Sequence, residues 1–550
     1  FDSATIRVDP VSSSSGQKIG NAMIRRALGI ERGDWYSDRA IVQAQRNLFQ
    51  LGTYQHIDVA PLPDSLQPPG DTLIVLAVRL TEDYMRQVDS EFGWATLDCG
   101  RVRLQYTDKN FLGMARRIDV TGQASKLGYG DPVATSFTRD LCTPGKSPLV
   151  EDPFSTEMYY FAGLTVRQPQ LLGTRVVPSL SLYSERRGEY KAYLRTTDFG
   201  ADLAATMEVR DRMPLRLAYT FEFGRTEADP PALCVLFNRC DLESQQQISQ
   251  RARLGVASAT LARIRTDNVI SPTRGWMMRG EVRTSRLPGT AQTLHFNKAT
   301  GDLAWYRSLG PQNVLALRLR GGVVKSLASL SDFIPPQERL YAGGPTSVRG
   351  FQQNELGSKV YIARNGDVVQ DIVVLAPNDT VYRFALRSDS IGFDTDSNPA
   401  RSVPLGGDAL LVANIEYRIR DPFFFPNHLQ YTLFLDGGDV WTRDRQPAEP
   451  RWSFRDLKWT PGIGFRATTP VGPIQANIAW NRFKREAGPL YYNPDVRILA
   501  CVSPGTPLDY RKDPNTGQLV TTGDCGQFEP PKRERWFQKL TFTFSIGPDF

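Results

Sequence analysis

A chain of 550 residues exceeds one ordinary domain, while 41% hydrophobic content and a mean hydropathy of −0.35 look soluble in bulk. No stretch of about 18 apolar residues occurs, which excludes a transmembrane helix but not a membrane barrel, whose strands place apolar residues at every second position. The net charge of +7 carries no long basic run and no aromatic stacking platform, so it reads as ordinary surface charge and gives nucleic-acid binding no support.

Residues 1–85 predict a small α/β unit. Thr5–Asp9 alternates like a strand. Gly16–Ile30 is helical, with Ile19, Met23, Ile24, Ala27 and Leu28 on one face. A second helix opens at Ser37 as N-cap, carries Ile41, Ala44, Leu48 and Leu51 on its apolar face, and stops at Gly52. Two strands, 54–60 and 71–80, close a β-α-α-β-β order around a Pro-rich turn. A three-stranded sheet keeps free edges that can take up an extended peptide. The start at Phe1, with neither Met nor a signal peptide, reads as a mature or truncated product.

From residue 86 the period changes to amphipathic strands of about ten residues. They fall near 87–97, 100–110, 115–128, 157–169, 175–187, 192–209, 214–227, 247–266, 274–286, 293–309, 313–326, 407–420, 429–441, 458–469, 473–482 and 535–549, sixteen in all. Links after even-numbered strands are mostly short, such as 111–114 and 310–312. Four links after odd-numbered strands are long: 129–156, 228–246, 327–406 and 483–534. This asymmetry predicts a sixteen-stranded antiparallel transmembrane barrel over 86–550. The insertions 361–400 and 483–534 are long for simple loops.

Six cysteines, Cys99, Cys142, Cys234, Cys240, Cys501 and Cys525, all fall on the long-loop side. No CxxC pair occurs and the three histidines are isolated, so no metal site is expected and disulfides in an oxidising compartment are. Cys234 and Cys240 are the best local pair; the other pairings stay open.

The most specific stretch is Tyr341-Ala-Gly-Gly-Pro-Thr-Ser-Val-Arg-Gly-Phe351, whose glycines and Pro345 make it a loop. A buried arginine needs a carboxylate partner. Glu416 has the parity opposite to the apolar set Leu411, Ala413, Ile415, Tyr417 and Ile419, so it faces the lumen. Leu433 and Leu435 face lipid, so Phe434 and Asp436 face inward on the next strand. The loop 327–406 must then fold inward for Arg349 to reach both acids. The competing reading is a solvent-exposed arginine with no lasting partner. In the last strand Leu540, Phe542, Phe544 and Ile546 share one face, and Gly547-Pro548 interrupts its end. That interruption either weakens the first-to-last seam or simply ends the strand.

Val348-Arg349-Gly350-Phe351, Phe434-x-Asp436-x-Gly438 and the ending 540–550, closed by Phe550, resemble the BamA/TamA family of outer-membrane assembly factors. The β-α-α-β-β unit with the run Ala44-Gln-Arg-Asn-Leu-Phe-Gln-Leu-Gly-Thr-Tyr54 resembles one POTRA domain, the last of a series. Pro470-Val-Gly-Pro473 and Gly406-Gly-Asp408 are similar to both branches of the family. The resemblance implies a bacterial outer-membrane barrel with its POTRA domain in the periplasm. It implies insertion of unfolded β-barrel clients through a lateral gate between first and last strands, an arginine loop fixed inside the barrel, and periplasmic or lipoprotein accessory subunits. No cofactor follows from it. No Gly-x-Ser-x-Gly elbow, P-loop or His-Glu-x-x-His occurs, so the expectation is a non-enzyme. A two-partner secretion pore, which shares the arginine loop, is the rival reading; a passive porin or receptor barrel would need neither the POTRA unit nor Arg349.

Overall fold

The computed structural model describes all residues except 1–4, 8–16, 32, 64–72, 96–98, 128–157, 170–175, 190–193, 211, 238–248, 269–271, 287–289, 291–293, 328–333, 364–367, 377–378, 387–399, 422–428, 443–456, 470–471, 496–497, 504–506, 513–518, 522–526, 531–534 and 547–550. The N-terminal unit comprises β1 (Thr5–Arg7), α1 (Asn21–Leu28), α2 (Asp38–Gln50), β2 (Tyr54–Pro61) and β3 (Leu73–Glu82). Its sheet has the order β1-β3-β2, with β1 parallel and β2 antiparallel to β3. The helical periodicity buries Met23, Ile24, Ala27 and Leu28 against Ile41, Ala44 and Leu48, with Val59 and Leu76 beneath. α1 ends on Gly29 at φ 63°, a conformation that glycine adopts without a Cβ penalty. Ser37 does stand at the N-cap of α2 with extended backbone, but its hydroxyl makes no capping bond.

The barrel begins with β4 (Arg86–Ala95), β5 (Cys99–Asp108), β6 (Arg117–Leu127), β7 (Tyr159–Arg167), β8 (Val176–Glu189), β9 (Leu194–Arg210) and β10 (Met213–Ala228). A helix, α3 (Pro230–Phe237), interrupts the following long link. The wall continues through β11 (Ala252–Thr266), β12 (Gly275–Thr284), β13 (Phe296–Ser308) and β14 (Asn313–Ser326). The next link holds β15 (Lys359–Ala363), β16 (Val368–Ala376), β17 (Asp379–Leu386) and β18 (Ala400–Pro404). Four more wall strands follow: β19 (Ala409–Arg420), β20 (Leu429–Trp441), β21 (Lys458–Thr469) and β22 (Gly472–Trp480). The last link holds β23 (Gly488–Asp495), β24 (Ile498–Cys501), β25 (Leu508–Lys512), β26 (Leu519–Thr521) and β27 (Gln527–Phe528), and β28 (Leu540–Ile546) ends the wall. Sixteen strands close into one antiparallel barrel, β28 returning to β4. The exposed residues Leu303, Leu317, Leu433, Leu435, Ile463, Phe465 and Phe542 alternate with inward polar ones, as lipid on one side and a polar lumen on the other require.

Three sequence expectations change. The last strand was expected over 535–549, but Trp536–Lys539 form a 3₁₀ turn and the strand starts at Leu540. The loop 327–406 was expected to fold inward with no strands of its own; its tip does reach Asp436 and Glu416, while β15–β18 of the same link pair in sheets outside the barrel wall. Cys234, read from the sequence as the local partner of Cys240 across a short loop, lies buried on α3, and Cys240 lies outside the described residues.

Two sheets built from the long links make a cap. One has the order β18-β15-β23-β24, with β27 on β23, and the other β16-β17-β25-β26. Their shared core holds Ala232 and Cys234 of α3, Val360 and Tyr361 of β15, and Leu490 and Tyr491 of β23. The links carrying α3 and β23 leave the wall at junctions half a circumference apart in the strand order, between β10 and β11 and between β22 and β28. Chain from opposite sides of one rim therefore meets in one apolar core, and the cap crosses the mouth.

At the other end the α/β unit is docked on the β5–β6 turn. Lys109 Nζ donates to Asp83 Oδ2 at 2.6 Å, Asn110 Nδ2 to Lys18 O at 2.8 Å, and Ala115 is buried in the unit's own core.

Candidate functional site

The lumenal loop enters and leaves through a narrow neck. Leu340 and Gly407 exchange backbone bonds at 2.9 and 2.8 Å. Arg339 pairs with Asp408 at 3.2 Å and donates to Leu405 O at 2.8 Å and Gly406 O at 3.2 Å. Just before the neck, Glu338 is almost wholly buried and ion-paired with Arg283 of β12 at 2.8 Å and Lys298 of β13 at 3.2 Å. This pins the loop's entry to one side of the wall. The turn beyond the neck needs Gly343 and Gly344, at φ 111° and 99°. The Gly343 N–H donates to Ser347 Oγ at 2.8 Å and the Gly344 N–H to Val348 O at 3.2 Å, folding the tip.

Arg349 lands on β19 and β20. Its Nε and Nη2 donate to Asp436 Oδ2 and Oδ1 at 2.7 and 2.9 Å, its backbone N–H to Oδ2 at 3.0 Å, and its Nη1 to Glu416 Oε2 at 2.8 Å. Planar, two-pronged contacts of this kind belong to a guanidinium and not to an ammonium. The guanidinium also lies flat over Phe434, 3.4 Å from the ring centre. Arg418 Nε donates to the other oxygen of Glu416 at 2.8 Å, and Asn414 Nδ2 bridges Asp436 Oδ1 at 2.9 Å and Ser347 O at 2.6 Å. Asp436 has no solvent exposure, so its charge depends wholly on these donors.

Glycines make the fit. A Cβ on Gly350 would lie 2.4 Å from Thr460 Cβ, and one on Gly438 would lie 2.8 Å from Val348 Cγ2. Val348 is fully buried and Phe351 stacks on Phe483 with centroids 6.2 Å apart. The structure therefore brings Val348, Arg349, Gly350, Phe351, Glu416, Phe434, Asp436 and Gly438 together. Glu338, Asn414, Thr460 and Phe483 join them without a signal in the sequence: three are uncharged, and Glu338 stands outside any recognisable motif.

The seam residues lie apart from that constellation. Phe542 is exposed on the outer face of β28, and Phe544 makes a tilted contact with Trp94 at 5.8 Å. Ile546 pairs with Trp94 in register; Gly547, Pro548 and Phe550 lie outside the described residues. Cys234 and Cys501 are each disulfide-bonded, while Cys142, Cys240 and Cys525 lie outside the described residues, and Cys99 opens β5. Among the described residues no group of His, Cys, Asp and Glu has the arrangement of a metal site.

Residues 110–550 match the Omp85 superfamily domain. The chain belongs to the Omp85 superfamily. It is 23% identical over 359 residues to the outer membrane protein assembly factor BamA of Neisseria meningitidis serogroup B, an alignment spanning 65% of this chain and 41% of that relative. The chain thus spans about two fifths of the length of the curated relative it matches. The structure of BamA from Haemophilus ducreyi lacking POTRA domains 1–3 superposes with a TM-score of 0.60 at 15% identity, covering 99% of this chain and 84% of that one. CdiB from Acinetobacter baumannii superposes with a TM-score of 0.51 at 11% identity, covering 100% of this chain and 74% of that one. The Omp85 barrel places this chain in the bacterial outer membrane, with its short turns and α/β POTRA unit on the periplasmic side and the cap outside.

Proposed function

We propose that this Omp85 protein inserts and folds β-barrel clients into the outer membrane by offering its first-to-last seam as a template. The observation that carries the reading is the seam's length. Among the described residues β28 shares seven register pairs with β22, from Ile474↔Ile546 to Trp480↔Leu540, but two with β4, Ser545↔Ala95 and Ile546↔Trp94. Neighbouring wall strands share long ladders; β4 and β5 alone pair over ten residues. Among the described residues, opening the seam therefore breaks fewer ladder bonds than parting β28 from β22, and the edge it exposes can pair with an incoming strand. The acceptor edge of the POTRA sheet would hold clients in extended form beforehand. The client's own burial in lipid drives the reaction, so no cofactor and no covalent chemistry enter; Arg349 with Asp436 and Glu416 is an ion-pair set that keeps the loop seated.

Export of a polypeptide through the lumen is the second reading, supported by the fold shared with CdiB. The cap weighs against it, since its core joins chain from opposite sides of one rim across the mouth. Depletion of the protein in its own cells separates the two. Broad loss of folded barrel proteins from the outer membrane is expected; loss of one secreted protein with barrels intact would replace assembly by secretion.

A further inference from the structure

The carbonyl of Gly350, next to Arg349, accepts two side-chain hydrogen bonds, from Asn481 Nδ2 at 2.9 Å and from Thr541 Oγ1 at 2.9 Å. Neither donor belongs to the strands that hold the arginine. Thr541 is the second residue of β28. Asn481 follows β22, and its backbone N–H donates to Lys539 O at 2.7 Å, closing the outer end of the β22–β28 pair. Asn481 is fully buried and its Oδ1 accepts from the Phe483 N–H at 2.9 Å, which leaves Nδ2 aimed at Gly350. The carbonyl cannot drift from these donors while the tip is seated, because Gly350 lies against Thr460 too closely for even a methyl group. One backbone oxygen thus joins the arginine loop, anchored on β19 and β20, to the strand whose other edge is the seam with β4.

We propose that the Gly350–Asn481–Thr541 contact is a latch through which the seated loop holds β28 in the closed wall, so that loop seating and seam opening form one coupled equilibrium. Asn481 and Thr541 are positioning residues in it. A contact made in the closed state alone shifts the equilibrium by its differential energy, and the coupling is reciprocal: opening the seam loosens the loop tip as much as unseating the tip loosens the seam. The functional meaning rests on the seam reading above; the coupling itself does not.

Amide exchange read by mass spectrometry on the full chain in lipid nanodiscs tests it, following 86–95 and 540–546 against 409–441 as control. Thr541→Val keeps the β-branched shape and removes the hydroxyl. Loss of one net hydrogen bond is expected to raise exchange at the seam about fivefold and leave the control unchanged. Thr541→Ser restores the slow rate. In an Arg349→Ala background, where the tip is already unseated, Thr541→Val adds nothing. Unchanged seam exchange in Thr541→Val, or the same rise in both backgrounds, overturns the latch. Client assembly by the same variants is scored separately: faster seam exchange with unaltered assembly upholds the latch and counts against the seam as the insertion site.

Discussion

Arg349 shows why a single side chain can organise a loop of this length. It fills a site in which Asp436 is fully buried and accepts three of the four bonds that Arg349 makes. Removing the guanidinium takes away both of its prongs and leaves that carboxylate buried with the Asn414 amide and the backbone N–H of residue 349 as donors. Breaking a buried pair in this way costs about 3–5 kcal/mol. Arg349→Ala is therefore expected to unseat the tip without dissolving the barrel, whose ladders do not involve it; limited proteolysis should cut near 341–351 while heat-modifiable mobility on gels stays that of a folded barrel. Arg349→Lys supplies one point charge in place of a fork and loses the flat contact with Phe434, so the same assay should place it between wild type and alanine. Gly350→Ala tests shape alone. Its Cβ would fall on Thr460, and overpacking of this kind costs about 1–3 kcal/mol, so the tip should become protease-sensitive with Arg349 intact.

At the scale of elements, the POTRA unit meets the barrel through the β5–β6 turn. The Lys109 ammonium, then Gln55 and the Tyr84 N–H, hold the Asp83 carboxyl down at about 2. A carboxyl depressed in the folded state adds stability that is fully present above its unfolded value near 4 and is lost as pH falls through the folded value. The docking contact should therefore loosen between about pH 4 and pH 2, and Asp83→Asn should loosen it at neutral pH; exchange of the 109–116 amides measures both. A flat profile across that window would mean that the Asn110–Lys18 bond and Ala115 in the apolar core hold the junction without Asp83. The cap is a second self-contained element, with its own core and disulfide-bonded Cys234 and Cys501. Removing a disulfide typically costs about 2–5 kcal/mol, so reduction should expose 359–363 and 488–501 to exchange while the wall strands keep their protection.

For the whole molecule, the cap, the loop and the seam occupy different parts of one barrel, and they make different demands on its lumen. Export through the lumen needs the cap to part; insertion through the wall needs β4 and β28 to part. A covalent cross-link holding α3 to β15 is expected to leave client assembly intact, whereas one holding β4 to β28 is expected to abolish it until reduced. The opposite pattern, read from folded client recovered in the membrane, would assign the transport path to the lumen.

The sequence by itself determined the wall and the charge pairing. Alternation with period two is a local property, and lipid outside with water inside writes it into every wall strand, so sixteen strands and the inward parity of Glu416, Phe434 and Asp436 were legible without coordinates. A lone arginine in a glycine-rich loop facing two inward acids was legible for the same reason, since a buried charge must find its partner. The tertiary structure alone decided the rest. The cap pairs Tyr361 with Leu490 in parallel register, and segments so far apart leave no periodic mark on either sequence. Glu338 was unreadable because its partners lie on strands β12 and β13, upstream of the loop. The bonds from Asn481 and Thr541 to Gly350 were invisible because a backbone carbonyl has no residue identity and two uncharged donors look like any other lumenal polar residues. The register of the seam, Ser545↔Ala95 and Ile546↔Trp94 among the described residues, depends on the stagger with which the barrel closes, and closure is a property of all sixteen strands together.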